Sequence, residues 1–335
     1  DGRWVERMRR GNFDIAFNLC EGIEGIAAYE PLVISVLELF GIPFTGNSSG
    51  TAALCLNKNV VNTMLDRAGL PVPRWALSRR GEKISGVGFP AICKPAAEDA
   101  SIGIEQRSVV RSGRALAARL AAMHERWDEV IVQRYVDGRE VNVGIVDDMI
   151  LPIAEINFGE MPRGMWKIVS YQSKWITGSE EDLGATPTCP ADLPAKLNRE
   201  LERIASTAWQ AVGGSGYGRV DLRIDGDGRP WLLEVNPNPD IAADAGGNCA
   251  MTKPGEMVTT PNGVRILGYT NWPGRIPAAS SALYARNLLT FLTTFWDKEA
   301  GAPKLPPEDE IVRGVMLTRG GQVVHPSLQQ QAKAA

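Results

Sequence analysis

Apolar and polar positions alternate through Gly218–Asn236, and Asp227-Gly228 interrupts the alternation near its middle. An Asp-Gly pair between two alternating runs is the strongest short-range signal for a hairpin closed by a two-residue type I′ turn. With that turn Asp221 lies opposite Glu234 and Arg219 opposite Asn236, all four on one side of the pleat. The other side carries Val220, Leu222 and Ile224 against Val235, Leu233 and Trp231, an apolar face for a core. Opposed Cβ atoms in such a ladder are roughly 4.5–5.5 Å apart, and two like charges at that spacing repel. A cation between Asp221 and Glu234 relieves the conflict. A surface ladder in which Asp221 pairs with a nearby arginine is the alternative that the hairpin alone leaves open.

Elsewhere the periodicities change. Phe13–Leu19 alternates like a strand, Tyr29–Phe40 has helical apolar spacing, and Ile42–Gly46 reads as a short strand ending in a turn, together the second half of an α/β unit. Asn57–Gly69 predicts a helix with Val60, Val61, Met64 and Leu65 apolar, left through extended Pro71-Val72-Pro73. Residues 89–160 hold several strands around one amphipathic helix from Ser112 to about Arg126, and a longer helix fits Asp192–Val212. Strands with interspersed helices predict an α+β arrangement within the broad α/β class.

Composition excludes several classes. The chain has 335 residues, 44% hydrophobic and 22% charged, with a net charge of -3, so no basic field favours nucleic acid. No apolar run reaches the length of a membrane span. Five scattered cysteines without a CxxC pair predict reduced thiols and a cytoplasmic home. Two histidines leave little material for a zinc site or a Ser-His-Asp triad. Asp1 rather than Met at the start predicts that the sequence begins inside a longer gene product.

Two carboxylates and an amide oxygen at Asp221, Glu234 and Asn236 suit a hard cation such as Mg²⁺, whose remaining positions go to water and phosphate. Phe89–Pro95 reads as a buried strand whose last turn presents Lys94, an expensive placement unless an anion meets it. The small-residue loop Ala96–Ile104 follows, where backbone N–H groups and the Ser101 hydroxyl could cover phosphates; a plain strand connection is the alternative. Val130–Glu140 reads as two strands joined by a turn. There Gln133 and the strand-end backbone of Tyr135 and Val136 could hydrogen-bond an adenine edge, and Glu140 could accept from ribose hydroxyls.

Taken in order, Lys58, Lys94-Pro95 with Ser101-x-Gly103, Gln133 to Glu140, Lys174, and Arg219-x-Asp221 with Glu234-x-Asn236-Pro237 resemble the ATP-grasp superfamily, in its D-alanine:D-alanine ligase branch, over about residues 1–243. The resemblance implies ATP with Mg²⁺ or Mn²⁺, small-molecule substrates (an amino acid or carboxylate plus an amine), and room for a homodimer. It implies that Lys94 and Lys174 contact ATP phosphates, that Ser101 sits in a mobile loop closing over them, and that Glu140 holds the ribose. Asp221, Glu234 and Asn236 would bind the metal, and Arg219 would stabilise the transferring phosphoryl group. Lys58 matches a lysine at the nucleotide side, an exposed helix lysine being its alternative. Gln133 replaces the usual glutamate at the adenine amino contact, Trp175 stands where a tyrosine commonly follows the phosphate lysine, and the loop is poor in glycine. The implied reaction makes an acyl phosphate and lets an amine attack it, forming an amide.

Beyond Ile241 the pattern changes. Ala245–Cys249, Gly268–Asn271, Ser280–Asn287 and Glu310–Leu317, with an amphipathic helix from about Ala278 to Trp296 between them, resemble the end of the NAD-binding domain in the alpha subunit of NAD(P) transhydrogenases, over roughly 240–326. No G-x-G-x-x-G follows a strand, and Gly213-Gly214-Ser215-Gly216 has the wrong spacing. The expected organisation is a partial N-terminal α/β lobe (1–56), an ATP-grasp domain (57–243), a transhydrogenase-like helix-plus-strands segment (244–327) and a tail (328–335). The expected function is an ATP-dependent carboxylate–amine ligase, impaired by truncation at the start and by fusion. The alternatives are an oxidoreductase fragment and a non-catalytic ATP-binding protein.

Overall fold

The structure, a computed structural model, describes residues 3–11, 13–16, 18, 20, 22–23, 26–82, 84–238, 256–259, 265–267, 288–298, 300–320 and 322–324. Two compact units divide the chain, Asp1–Pro239 and Asp240–Ala335.

The first unit opens with α1 (Arg3–Arg10), α2 (Glu30–Leu39) and α3 (Ser49–Leu56). Of these only α2 is legible in apolar spacing. The strands expected at 13–19 and 42–46 reduce, among the described residues, to one parallel bridge between Ala16 and Phe44. Ala16 N–H donates to Pro43 at 2.7 Å, and Pro43 has no N–H with which to extend the ladder. Next is α4 (Lys58–Arg67), whose first turn is closed by Asn57 accepting from the Val60 N–H. Val61 and Leu65 enter the core, while Val60 of the expected apolar stripe is 44% exposed. The buried side of this helix is therefore shared between that core and the pair Lys58 and Asn62, one turn apart.

A four-stranded antiparallel sheet follows, built from β1 (Trp75–Arg79), β2 (Ala91–Pro95), β3 (Val109–Val110) and β4 (Glu129–Arg134) in the order β1-β4-β2-β3. Its covering helix α5 (Gly113–Met123) starts at Ser112, whose hydroxyl accepts from the Ala115 N–H. Ala91, Cys93, Val130 and Val132 pack against Leu116, Leu120 and Met123 on one face. Alternation sends Ile92, Lys94, Ile131 and Gln133 to the other.

The second sheet holds β5 (Gly138–Val146), β6 (Met149–Ile150), β7 (Ala154–Asn157), β8 (Thr186–Thr188), β9 (Tyr217–Asp225) and β10 (Pro230–Pro237), in the order β10-β9-β5-β7-β8 with β6 on β5. Two short helices, α6 (Tyr171–Trp175) and α7 (Glu180–Leu183), precede β8. One face is covered by α8 (Ala195–Ala211): Leu201, Ile204, Ala208 and Trp209 meet Val141, Val143, Val220, Leu222 and Leu232. Each such fully buried aliphatic side chain contributes about 1.5–3 kcal/mol. β4 and β5, read in sequence as two strands joined by a turn, belong to different sheets, and Tyr135–Asp137 carries the chain between them. The first residue after this crossing, Gly138, has φ +153°, and a Cβ there would stand 1.9 Å from the Ile224 carbonyl oxygen, so no side chain fits.

The β9–β10 hairpin corrects the expected register at one end. Glu234 pairs with Asp221 and Asn236 with Arg219, as the alternation predicts. Nearer the turn Leu232 faces Leu222 and Trp231 faces Arg223, one residue out of step, with a bulge between Leu232 and Glu234. The loop is not the two-residue type I′ turn: Asp225 N–H bonds Arg229 O at 3.0 Å, enclosing Gly226-Asp227-Gly228, with Gly228 at φ +78°. A type I turn closed by a left-handed glycine needs this third residue, and the bulge returns the strand to phase. In consequence Leu232, not Leu233, fills the core, and Trp231 leaves the core cluster to bond Asp225 Oδ2 through Nε1 at 2.8 Å.

Among the described residues the second unit contains three two-stranded ladders: Met257–Thr259 with Arg265–Leu267, Trp296–Asp297 with Ala302–Pro303, and Thr318–Arg319 with Gln322–Val323. Residues 288–294 are helical, as is Glu310–Val315, which Asp309 caps by accepting from the Ile311 and Val312 N–H groups. Trp296, expected to end a helix, stands in a strand. Residues 278–287 of that expected helix, Ala245–Cys249 and Gly268–Asn271 lie outside the described residues. No helix among the described residues is long and apolar enough to cross a membrane.

Candidate functional site

The polar faces of the two sheets supply the side chains of one cleft. On β9 the alternation that buries Val220, Leu222 and Ile224 turns Arg219, Asp221 and Arg223 to the opposite side. Register brings Glu140 of β5 beside Arg223, Asn142 beside Asp221, and Glu234 of β10 beside Asp221. Asp221 is 6% exposed, and both of its oxygens are engaged. Oδ1 accepts from Arg219 Nε and Asn142 Nδ2, each at 2.7 Å, and Oδ2 accepts from Arg219 Nη2 at 2.9 Å and Asn236 Nδ2 at 2.8 Å. The arginine pairing left open by the sequence is thus realised alongside the opposition of Asp221 and Glu234.

Positive charge comes from the facing side. Burial pushes the Glu234 carboxyl up, but Lys58, Lys94 and Arg219 outweigh it and hold the group at about 2. Both lysines are buried, so the exposed-helix alternative for Lys58 does not hold. Lys58 Nζ donates to the Glu98 carbonyl and lies 3.3 Å from Asp99 Oδ1. Burial works against its charge, yet Asp99 and Glu234 raise its pKa above the ordinary value. Lys94 is the opposite case. Burial lowers its pKa, Glu234 pulling the other way and Lys58 adding to the fall, and its Nζ has no hydrogen bond or ion pair with any described residue. A small cavity of about 10 Å³ lies among Lys58, Asn62, Asp99, Glu234 and Asn236.

Farther along the cleft Arg223 dominates. It donates to Glu140 Oε2 from Nε at 3.1 Å and Nη2 at 2.7 Å, to the Val136 carbonyl at 2.7 Å, and to the Lys167 carbonyl. Both bonds to Glu140 end on Oε2, leaving Oε1 for another donor. Burial, against the pull of Arg223, raises the Glu140 pKa. Tyr135 is held by its hydroxyl on Lys167 O at 3.2 Å and an edge contact with Trp166. Gln133 is 1% exposed, and its Nε2 has no partner.

Ser101 and Lys174 do not join this buried cluster. Ala100 and Ser101 adopt φ +54° and +60°, uncommon for non-glycine residues and frequent in functional loops. Their loop is tied to the α6 region: Ser101 Oγ donates to Val169 O at 3.0 Å, and Trp175 Nε1 donates to Ala100 O at 2.8 Å. Lys174 is exposed on α6, with its ammonium 5.2 Å from the Trp175 ring centroid.

Three cleft residues escape the sequence reading, each with a signal that was available. Arg223 continues the alternation of Arg219 and Asp221, and Asn142 follows Glu140 by two on the same strand face. Asn62 follows Lys58 by four on one helix face, and its buried Nδ2 has no partner. In kind the donor set suits a hard cation: Asp221, Glu234 and Asn236 share one strand face, with the Asn236 amide nitrogen donating to both carboxylates and four N–H donors already on Asp221.

Residues 64–244 match the family model described as D-ala D-ala ligase C-terminus, and residues 239–326 the one described as Alanine dehydrogenase/PNT, C-terminal domain. A D-alanine–D-alanine ligase of Geobacter sulfurreducens is 34% identical over 234 residues, 69% of each chain. One of Syntrophotalea carbinolica is 34% identical over 239 residues, 71% of this chain and 72% of that one. The crystal structure of the D-alanine–D-alanine ligase from Bacillus anthracis complexed with ATP superposes with a TM-score of 0.53 at 26% identity, covering 68% of each chain.

Proposed function

The chain belongs to the D-alanine–D-alanine ligase family, with its ATP-grasp fold, and from that premise we propose that its cleft binds Mg-ATP and activates a small carboxylate by phosphoryl transfer. The observation that carries this reading is the facing of Asp221, Glu234 and Asn236 by two buried lysines. Triphosphate is the ligand class that satisfies all five, because its oxygens meet both the lysines and a carboxylate-held cation.

Asp221, Glu234 and Asn236 would hold Mg²⁺, which when bound offsets charge on the phosphates. Lys94, buried without a partner, would meet phosphate oxygens; Lys58 would do so while keeping Asp99. Glu140 Oε1 would accept from a ribose hydroxyl, and the Tyr135–Val136 backbone would line the base. Arg219, half-exposed beside Asp221, would orient toward the phosphoryl group as it moves. Ser101 would cover the phosphates from its loop, and Lys174 would reach them if α6 and that loop close together. A carboxylate oxygen would take the γ-phosphoryl group, ADP would leave, and an amine would displace phosphate from the acyl phosphate. With Glu234 held ionised by the cations around it and the donors fixed, catalysis would be positioning and charge compensation, without a protein nucleophile.

Residues 239–326 resemble a different family, so amide formation should lag ATP turnover. Titrations with Mg-ATP and NADH, and ADP release over an amino-acid panel including D-alanine, test the reading. Metal-dependent ATP binding that Asp221→Asn abolishes is expected. ATP affinity unchanged by that substitution would overturn the assignment, and low-micromolar NADH binding would favour the oxidoreductase alternative.

A further inference from the structure

We propose that Asn62 is a positioning residue for the Glu234 carboxylate, to which its Nδ2 donates through one water held between α4 and β10. This rests on the functional reading in which Glu234 and Asn236 hold Mg²⁺. Asn62 is 2% exposed, and its Nδ2 is buried without a partner. A buried amide donor left unmatched is costly, so an acceptor within reach is the economical explanation. The residue stands one turn after Lys58 on the same helix face and, together with Glu234, lines the small cavity beside that lysine. At about 10 Å³ the cavity has room for one water molecule and none for a phosphate. A trapped water needs several polar partners, and Asn62, Glu234, Lys58 and Asp99 line the space that would supply them.

The need for this donor comes from Asn236. Its Nδ2 donates to Asp221 Oδ2 at 2.8 Å and to Glu234 Oε1 at 3.4 Å, and the second of these is the only hydrogen bond that Glu234 makes among the described residues. A side-chain amide meets a cation through its oxygen, so Asn236 must turn Oδ1 toward Mg²⁺ and give up both bonds from Nδ2. Asp221 then still has Arg219 and Asn142. Glu234 is left with the donor that Asn62 offers across the cavity. Groups that hydrogen-bond a metal-binding carboxylate fix its orientation, and losing one typically costs about ten- to hundred-fold in metal affinity.

Calorimetric titration of the full chain with ATP, in excess Mg²⁺ and again in EDTA, decides it. Asn62→Leu keeps the branched shape and removes the donor. The gain in ATP affinity that Mg²⁺ brings should fall about ten-fold, while affinity in EDTA holds because both lysines are untouched. The melting temperature should hold or rise, since an unmatched buried amide is gone. Asn62→Gln, one methylene longer, reaches into the cavity, displaces the water and donates directly, so it should keep the Mg²⁺ gain. Asn62→Val, smaller and also without a donor, should match the leucine variant and decides the matter if that variant does not fold. A Mg²⁺ gain unchanged in a folded apolar variant, a loss of equal size with and without Mg²⁺, or a glutamine variant that loses as much as the leucine one overturns this inference alone. Absence of ATP binding by the wild type, or of any Mg²⁺ gain in it, removes the functional reading itself, and this inference with it.

Discussion

The two walls of the cleft differ in how their polar groups are satisfied. On the six-stranded side each charged group has a neighbour: Asp221 has Arg219, Asn142 and Asn236, and Glu140 has Arg223. On the four-stranded side Lys94 and the Gln133 amide are buried without described partners. One wall is thus internally complete and holds its geometry by its own bonds. The other lowers its energy when an anion and a base arrive. Such a division separates shape from affinity: the paired wall positions, and the unpaired wall binds.

The strongest way to break the comparison is to orphan a charge on the complete wall. Arg223→Met leaves Glu140 buried without its guanidinium and frees the Val136 and Lys167 carbonyls, so stability should fall by about 3–5 kcal/mol. Burial already raises the Glu140 pKa from 4.5, and removing Arg223 raises it further. A raised carboxyl penalises the folded state only where the unfolded one ionises, so the loss should grow as pH climbs above the ordinary value and shrink below it. Denaturant melts at acid and neutral pH check both the size and the trend. A stability loss that does not change with pH would contradict this account of the pair.

On the other wall the same kind of truncation should act on binding. Lys94→Ala removes a buried cation that makes no hydrogen bond, its burial cost offset against the charge it offers Glu234, so the melting temperature should change little. ATP affinity should drop about ten- to hundred-fold, and AMP affinity far less, by titration. Equal losses for the two nucleotides would place Lys94 at the base instead. The smallest effect sharpens the contrast. Asn142→Ala takes one of four donors from Asp221 and should cost about 1 kcal/mol of stability, with Arg219 still paired. A loss as large as that of Arg223→Met would mean that the network acts as one unit.

Much of the paired wall was legible because alternation is a local signal. Asp221, Glu234, Arg219 and Asn236 fall opposite one another from a count of residues, and the extra loop residue did not disturb them. The partners of those groups were harder to see. Arg223 and Glu140 are 83 positions apart, and pairing between distant strands leaves no mark in either segment. The N-terminal strands failed for a related reason: apolar alternation at Phe13–Leu19 gives a strand only where a neighbouring strand completes the ladder, and one bridge is what forms among the described residues. Lys58 shows the converse. Its helix reads as amphipathic, yet the lysine is buried because Glu98, Asp99 and Glu234 converge there from other segments.

The bulge between Leu232 and Glu234 insulates the carboxylates from their own turn. Residues between the turn and the bulge keep one register, and residues beyond it keep another. A change of loop length at Gly226–Gly228 can therefore be absorbed before it reaches Glu234. That makes this exposed tip a tolerant place for insertion, where a lineage could add recognition elements or an experimenter could attach a fluorophore, with the metal-facing residues left in phase.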